Sequence, residues 1–140
     1  MFSMRIRGLM ERETLLRVGP ETTVSEAARL MAGSNVGAVV VVENDALTGI
    51  FTERDALVRV IAQGRDAQTT RLEEVMTPSP VTVEPDRTFG HALQLMHAHH
   101  FRHVPVVENG RPVGIVTARD ALDPEMEEFV CEAQRREGIR

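Results

Sequence analysis

Residues 38–57 read AVVVVENDALTGIFTERDAL, and residues 101–122 read FRHVPVVENGRPVGIVTARDAL. The two stretches share an apolar run, a Glu-Asn turn and the ending Gly-Ile-x-Thr-x-Arg-Asp-Ala-Leu. Extended toward the N-terminus, residues 15–57 align with residues 80–122 at a constant offset of 65 without a gap, and 18 of the 43 pairs are identical. Self-similarity at a fixed period indicates a duplicated structural unit.

Each copy is predicted to fold as strand, helix, strand, strand and helix. Thr23 and Thr88 are suited to cap the first helix of their copies, and Glu26 would complete a capping box in the first copy. Continuous apolar runs predict buried strands, and Glu-Asn followed by Asp or Gly predicts a hairpin turn. The predicted strands are 15–18, 38–42 and 49–51 in the first copy and 81–83, 104–107 and 114–116 in the second. The predicted apolar helix faces are Val24, Ala27, Leu30 and Met31, and Phe89, Ala92, Leu93, Leu95 and Met96.

The duplication has a simple physical reason. A copy of about 45 residues would leave one sheet face uncovered, and domains this small are rarely stable alone. Two copies can bury those faces against each other. The predicted fold class is therefore α/β (α+β), with two small three-stranded sheets, each with two helices, packed with pseudo-two-fold symmetry.

The repeated pattern resembles cystathionine-beta-synthase-type (CBS) domains, and the pair resembles the arrangement called a Bateman module. The matching segments are VTVEPDRTFGHALQLM at residues 81–96 and the two stretches quoted above. The resemblance implies a first domain at 12–70, a second at 71–123 and a C-terminal helical tail at 124–140. Members of this family mostly act as regulatory sensors of AMP, ADP, ATP, NAD-type cofactors or S-adenosylmethionine. The expected function is therefore that of a nucleotide sensor and not of an enzyme.

The resemblance also implies two ligand clefts between the domains. In such clefts the aspartate of the Thr-x-x-Asp motif accepts hydrogen bonds from the ribose hydroxyls, and the threonine contacts ribose or phosphate. The opposite domain supplies the adenine pocket. Carried over to this sequence, the expected ligand-binding residues are Asp120 and Thr117 with Leu16 and Val36, and Asp55 and Thr52 with Val81 and Phe101.

The chemistry of these side chains agrees with that expectation. The two oxygens of a carboxylate can accept from both hydroxyls of a ribose. A threonine before a helix stands where free backbone N–H groups favour a phosphate, and Arg54 and Arg119 could add charge-assisted bonds. Thr-x-x-Asp at a helix start is also a plain capping arrangement, and the two roles can coexist.

The two copies differ just before their central strand. Arg102 and His103 stand in the second copy where Gly37 and Ala38 stand in the first. The family often places basic residues here that reach phosphate. One site is therefore expected to suit a charged nucleotide better than the other, the alternative being that both side chains form a solvated strand edge.

Composition and charge exclude several classes of function. A formal net charge of −5 opposes binding to duplex nucleic acid, and no basic stripe offsets it. No apolar run reaches the roughly 18–20 residues that span a bilayer. The single cysteine, Cys131, fits a reducing cytoplasm. Neither a phosphate-binding glycine loop nor a nucleophile or zinc-helix motif is present, which favours binding over catalysis.

The five histidines all lie between His91 and His103. Their spacing lacks the Cys or carboxylate partners of a zinc site, so no metal is expected, although a response to pH near 6–7 is open. A homodimer through exposed apolar positions is expected, together with an unidentified regulated protein. The alternatives are a structural dimerisation module with degenerate pockets, or a nucleic-acid- or metal-responsive module. The positions expected at the dimer interface are Leu57, Val58, Ile61 and Leu93.

Overall fold

A computed structural model describes residues 2–10 and 14–122, with side chains described as far as residue 120. Its helices are α1 (Ile6–Leu9), α2 (Val24–Ser34), α3 (Glu53–Asp55, continued by a π-helical segment at Ala56–Ile61), α4 (Leu72–Val75), α5 (Phe89–His99) and a final 3₁₀ helix (Ala118–Leu122). Its strands are β1 (Arg17–Val18), β2 (Ala38–Glu43), β3 (Ala46–Thr52), β4 (Thr77–Pro78), β5 (His103–Glu108) and β6 (Arg111–Thr117). The predicted tail at 124–140 and Cys131 lie outside the described residues.

The two hairpins have the same register in both copies. Strands β2 and β3 pair antiparallel, as do β5 and β6, and each pair has one irregularity at the equivalent place. The turn residues Asn44 and Asp45 have φ of 53° and 65°, and Asn109 and Gly110 have φ of 55° and 78°. Asn, Asp and Gly tolerate this left-handed conformation, so the turn chemistry sets both hairpins. The hairpin predictions are confirmed.

The first strand of the repeat forms differently in the two copies. In the first copy, β1 runs parallel to β2, and Val40 N–H donates to Leu16 O at 2.9 Å. The residue equivalent to Val40 is Pro105, which has no N–H to donate. The second copy therefore keeps only an isolated parallel bridge at Val83, and the strand predicted over 81–83 was wrong in extent. The prediction of three strands in each sheet was therefore wrong: the first sheet has four strands because β4 adds to β3, and the second sheet has two within the described residues.

The predicted helix caps are present. Thr23 Oγ1 accepts from Glu26 N–H, and Thr88 Oγ1 accepts from His91 N–H, both at 3.2 Å. No return bond from the Glu26 carboxylate to the backbone of Thr23 forms within the described chain, so the capping box predicted there is wrong. A threonine hydroxyl alone satisfies the N–H group that needs a partner.

Each half has its own apolar core. The core of the first half contains Val24, Ala27, Met31, Val39, Val41, Phe51, Val60, Leu72 and Val75. The core of the second half contains Ile6, Leu9, Val83, Phe89, Ala92, Met96, Val104, Val106 and Val116. Leu30, predicted on the buried face of α2, is 44% exposed. The prediction was wrong because the buried stripe of α2 is narrow and Leu30 lies on its flank.

The segment that precedes each copy packs on the other copy. Helix α1 lies before the first copy, yet Ile6 is fully buried in the second core and its N–H donates to Arg87 O at 2.9 Å. Helix α4 lies before the second copy, yet Leu72 is fully buried in the first core and its N–H donates to Thr22 O at 2.8 Å. The halves are thus tied together by two reciprocal crossings.

The halves also meet directly along a small apolar seam. Ala38, Ile50 and Ile115 are buried there, and Leu15 packs against them. Ile50 and Ile115 are equivalent positions of the repeat. Because equivalent residues meet there, the seam lies at the pseudo-two-fold axis. Each of these isoleucines precedes the threonine of a Thr-x-x-Asp motif by two residues.

Candidate functional site

Asp55 closes the start of α3 in a complete capping box. Thr52 N–H and the Thr52 hydroxyl donate to Asp55 Oδ2 at 3.0 and 3.2 Å. Arg59 Nε lies 3.5 Å from the other oxygen, Oδ1, and Asp55 as a whole is only 9% exposed. Asp55 therefore caps the helix, and both of these bonds are accepted by Oδ2.

Asp120 repeats this arrangement in the second half. Thr117 N–H donates to Asp120 Oδ2 at 3.1 Å, the bond that Thr52 N–H makes to Asp55. Asp120 is half-buried and thus more open than Asp55. A carboxylate has about four acceptor positions, so one capping bond leaves room for ligand hydroxyls.

His103 lies close to both motifs. Burial lowers the pKa of His103, and the nearby carboxylates of Glu53, Asp120 and Asp55 act in the opposite direction, while Arg102 lowers the pKa further. These carboxylates belong to different halves. His103 therefore lies where the two Thr-x-x-Asp motifs converge.

A cleft of about 320 Å³ opens between the halves next to Asp120. It is lined by Ala28, Met31, Ala32, Asn35, Val36, Phe51, Glu53 and Ala56 of the first half and by Arg119 of the second. Val36 and Arg119, both predicted site residues, are thus brought together from opposite halves. Asp120 directly follows Arg119 in the chain but is not itself one of the lining residues; we call this cleft the cleft next to Asp120.

Arg54, the residue of the first half that is equivalent to Arg119, contacts the second half. Its Nη1 donates to His100 O at 3.5 Å. The next residue, Phe101, stacks on His99 with ring centroids 5.5 Å apart and packs against the second core. Predicted site residues that do not line the 320 Å³ cleft also include Leu16, Val81 and Thr117, which are half-buried, and Arg102, which is exposed.

Glu53 is a residue of the cleft that sequence reasoning missed. Its N–H donates to Gly37 O at 3.0 Å, and its carboxylate fills the space that a Cβ at position 37 would need. The sequence did carry a signal, because the equivalent residues of the other copy are Ala118 and Arg102. Both positions change together between the copies.

None of the histidines lines the 320 Å³ cleft. His97, His99 and His100 are exposed, and over residues 2–10 and 14–122 no three potential metal ligands cluster. His91 borders a separate groove of about 510 Å³ at the start of α5. That groove is lined by Asp86, Arg87, Thr88, Gly90, His91 and Gln94, none of which is a predicted site residue.

The apolar surface predicted for self-association is smaller than expected. Leu57, Val58 and Ile61 are 59%, 48% and 69% exposed on the π-helical segment. Leu93 is half-buried because it packs against the second core, so its prediction as an exposed position was wrong. Among the described helices, none combines the length and apolar character that crossing a bilayer requires.

Two hairpin-and-helix units that converge on paired Thr-x-x-Asp motifs define a CBS-type pair. The sequence profile of the CBS domain matches this chain at residues 6–62 and again at residues 72–125. The chain belongs to the CBS domain family.

Relatives cover most of the chain. It is 45% identical over 103 residues to the CBS domain-containing protein YhcV of Bacillus subtilis, which covers 74% of this chain and 73% of that protein. The crystal structure of a conserved protein from Pyrococcus horikoshii superposes with a TM-score of 0.79 at 35% identity, covering 87% of this chain and 92% of that one. The CBS domain pair of protein MJ0100, solved with 5′-methylthioadenosine and S-adenosyl-L-methionine, superposes with a TM-score of 0.75 at 26% identity, covering 85% and 93%. The predicted family and fold class are confirmed.

Proposed function

We propose that this chain is a regulatory module that binds an adenosine-containing nucleotide between its two halves. The observation that carries the proposal is the cleft shared by Val36 and Arg119, together with the half-buried Asp120 that directly follows Arg119 in the chain. The likeness to the MJ0100 pair, solved with two adenosine derivatives, supports the same ligand class.

Each part of such a ligand has a matching surface. The ribose hydroxyls would donate to Asp120 and, in the second cleft, to Asp55. Apolar side chains such as Val36 and Ala56 would cover the base. The exposed guanidinium of Arg119 would pair with an anionic group on the ligand.

The proposed consequence of binding is regulatory and not catalytic. A ligand that contacts both halves binds best to the arrangement of the halves that completes its site, and it stabilises that arrangement by mass action. At a hundred times Kd the stabilisation is about 2.7 kcal/mol. The protein that the module regulates would be a separate one. The single cysteine is compatible with a cytoplasmic setting.

Thermal unfolding with AMP, ATP, NAD and S-adenosylmethionine at millimolar concentration tests this function. At least one of them is expected to raise Tm by several degrees in the natural chain and by much less in Asp120→Ala. If none of the four shifts Tm, the chain is better described as a structural dimerisation module with degenerate pockets.

The exposed apolar positions favour self-association as a second property. We propose that two copies pair through the patch formed by Leu57, Val58 and Ile61. Sedimentation should then show a dimer for the natural chain and a monomer for Ile61→Glu, with Gln94→Glu on the distant helix α5 as a matched control that stays dimeric. A natural chain that sediments as a monomer at micromolar concentration would contradict this assignment.

A further inference from the structure

One place in the repeat carries opposite charges in the two copies. In the first copy, position 37 is glycine, and the carboxylate of Glu53 occupies the space beside its Cα. In the second copy, the equivalent residues are Arg102 and Ala118. A guanidinium therefore stands where the first copy has a glycine covered by a carboxylate.

This exchange changes the charge of the two clefts. Glu53 and Arg119 line the cleft next to Asp120, so apart from the motif aspartate one formal negative charge balances one positive charge there. The equivalent side chains of the other copy include Arg54 and Arg102, both exposed, and alanine replaces the carboxylate. Apart from the motif aspartate Asp55, these equivalent positions therefore supply two cations and no anion.

The neighbouring histidine does not cancel the charge of Glu53. Burial lowers the pKa of His103, which disfavours its charged form. Glu53 is exposed and lines the cleft, with its carboxylate beside Gly37. A ligand phosphate entering the cleft would meet that charge directly.

We propose that Glu53 sets the ligand class of the cleft next to Asp120. This cleft takes an adenosine derivative whose 5′ substituent is uncharged or cationic, whereas the cleft next to Asp55 takes a phosphorylated one. The inference rests on the proposed function, since it assumes that adenosine derivatives bind between the halves. A carboxylate and a phosphate repel each other, and each pair of like charges about 6 Å apart in water changes Kd about threefold. A phosphate carries one to two charges, so the selectivity is expected to be about three- to tenfold.

Titration calorimetry on the full chain tests the assignment. The chain carries Asp55→Asn, so that the cleft next to Asp120 dominates, and the probes are adenosine, AMP and S-adenosylmethionine. Adding Glu53→Gln keeps the shape of the side chain and removes its charge. It should raise the affinity for AMP about three- to tenfold, lower that for S-adenosylmethionine, and change that for adenosine less than about twofold.

The opposite cleft provides the matched control. In a chain carrying Asp120→Asn, Ala118→Glu should lower the affinity for AMP by a similar factor and leave adenosine unchanged. Equal Tm values with and without each substitution verify that the fold is intact. An unchanged ratio of AMP to adenosine affinity in Glu53→Gln, with adenosine still bound, overturns this inference and leaves the proposed function standing. Absence of binding by all three probes in the natural chain overturns the proposed function itself.

Discussion

Replacing Asp120 by alanine should remove ribose recognition while leaving the fold in place. Within the fold, the carboxylate accepts one capping bond, from Thr117 N–H at 3.1 Å, and the residue is half-buried. Losing one such cap costs about 1 kcal/mol of stability. For the ligand, the same carboxylate would accept from two ribose hydroxyls, and hydrogen bonds to a charged group contribute about 1.5–3 kcal/mol each. Because the two contributions overlap, the expected loss is about 2–4 kcal/mol, or about 30- to 1,000-fold in Kd.

The assay compares adenosine with 2′-deoxyadenosine in the natural chain and in Asp120→Ala, all in the Asp55→Asn background, by titration calorimetry. In the presence of Asp120, removal of the 2′-hydroxyl leaves an acceptor unpaired and should weaken binding by about 1–3 kcal/mol. In Asp120→Ala that penalty should fall to about a factor of two. A full penalty that persists in the alanine variant would show that the ribose is read elsewhere and would refute the reasoning.

Three further predictions concern stability. Asp55→Ala should lower the free energy of unfolding in urea by about 1–2 kcal/mol, more than Asp120→Ala does, because Asp55 is nearly buried and accepts two bonds from Thr52; an equal or smaller loss would contradict that ranking. Ile6→Ala and Leu72→Ala should each cost about 2–4 kcal/mol, since both side chains are fully buried in the core of the opposite copy, and a negligible effect of Ile6→Ala would mean that α1 does not pack there in solution. Burial lowers the pKa of His103 below its ordinary 6.5, so the unfolded chain binds the proton more tightly than the folded chain. The free energy of unfolding should therefore fall as pH drops below about 6.5, and His103→Gln should reduce this fall. Identical pH profiles for the two chains would refute the assignment.

Much of the fold could be predicted from the repeat. A constant offset places the hairpin turns, the helix caps and the hairpin strands of one copy on their counterparts, and local rules act in the same way on both. Asn44 and Asn109 enter left-handed turns, and Thr23 and Thr88 cap helices, because each depends only on near neighbours. Predictions of this kind need no knowledge of the tertiary structure.

The features that could not be predicted depend on contacts between distant segments. The exposure of Leu30 follows from the width of the surface that α2 packs against, which the helix pattern does not contain. Likewise, the burial of Ile6 depends on a crossing to the other copy. Pro105 is different, since the missing donor was visible in the sequence and its effect on the neighbouring strand was overlooked.

The candidate site likewise contains residues that the sequence could predict and one that it could not. The resemblance pointed to Val36 and the chemistry of the helix start to Arg119, and the structure brings these two residues together in one cleft. It did not point to Glu53, because the family motif treats that position as variable. The importance of this position becomes visible only in the structure, where the Glu53 side chain packs over Gly37.

A crystal structure of the full chain grown with adenosine tests the nucleoside site most directly. The account predicts electron density for the sugar at the junction of the halves, with its hydroxyls within about 3 Å of the Asp120 carboxylate and the base against Val36. Density confined to the groove at Thr88 and His91, or a junction closed by side chains around an unliganded Asp120, would contradict it.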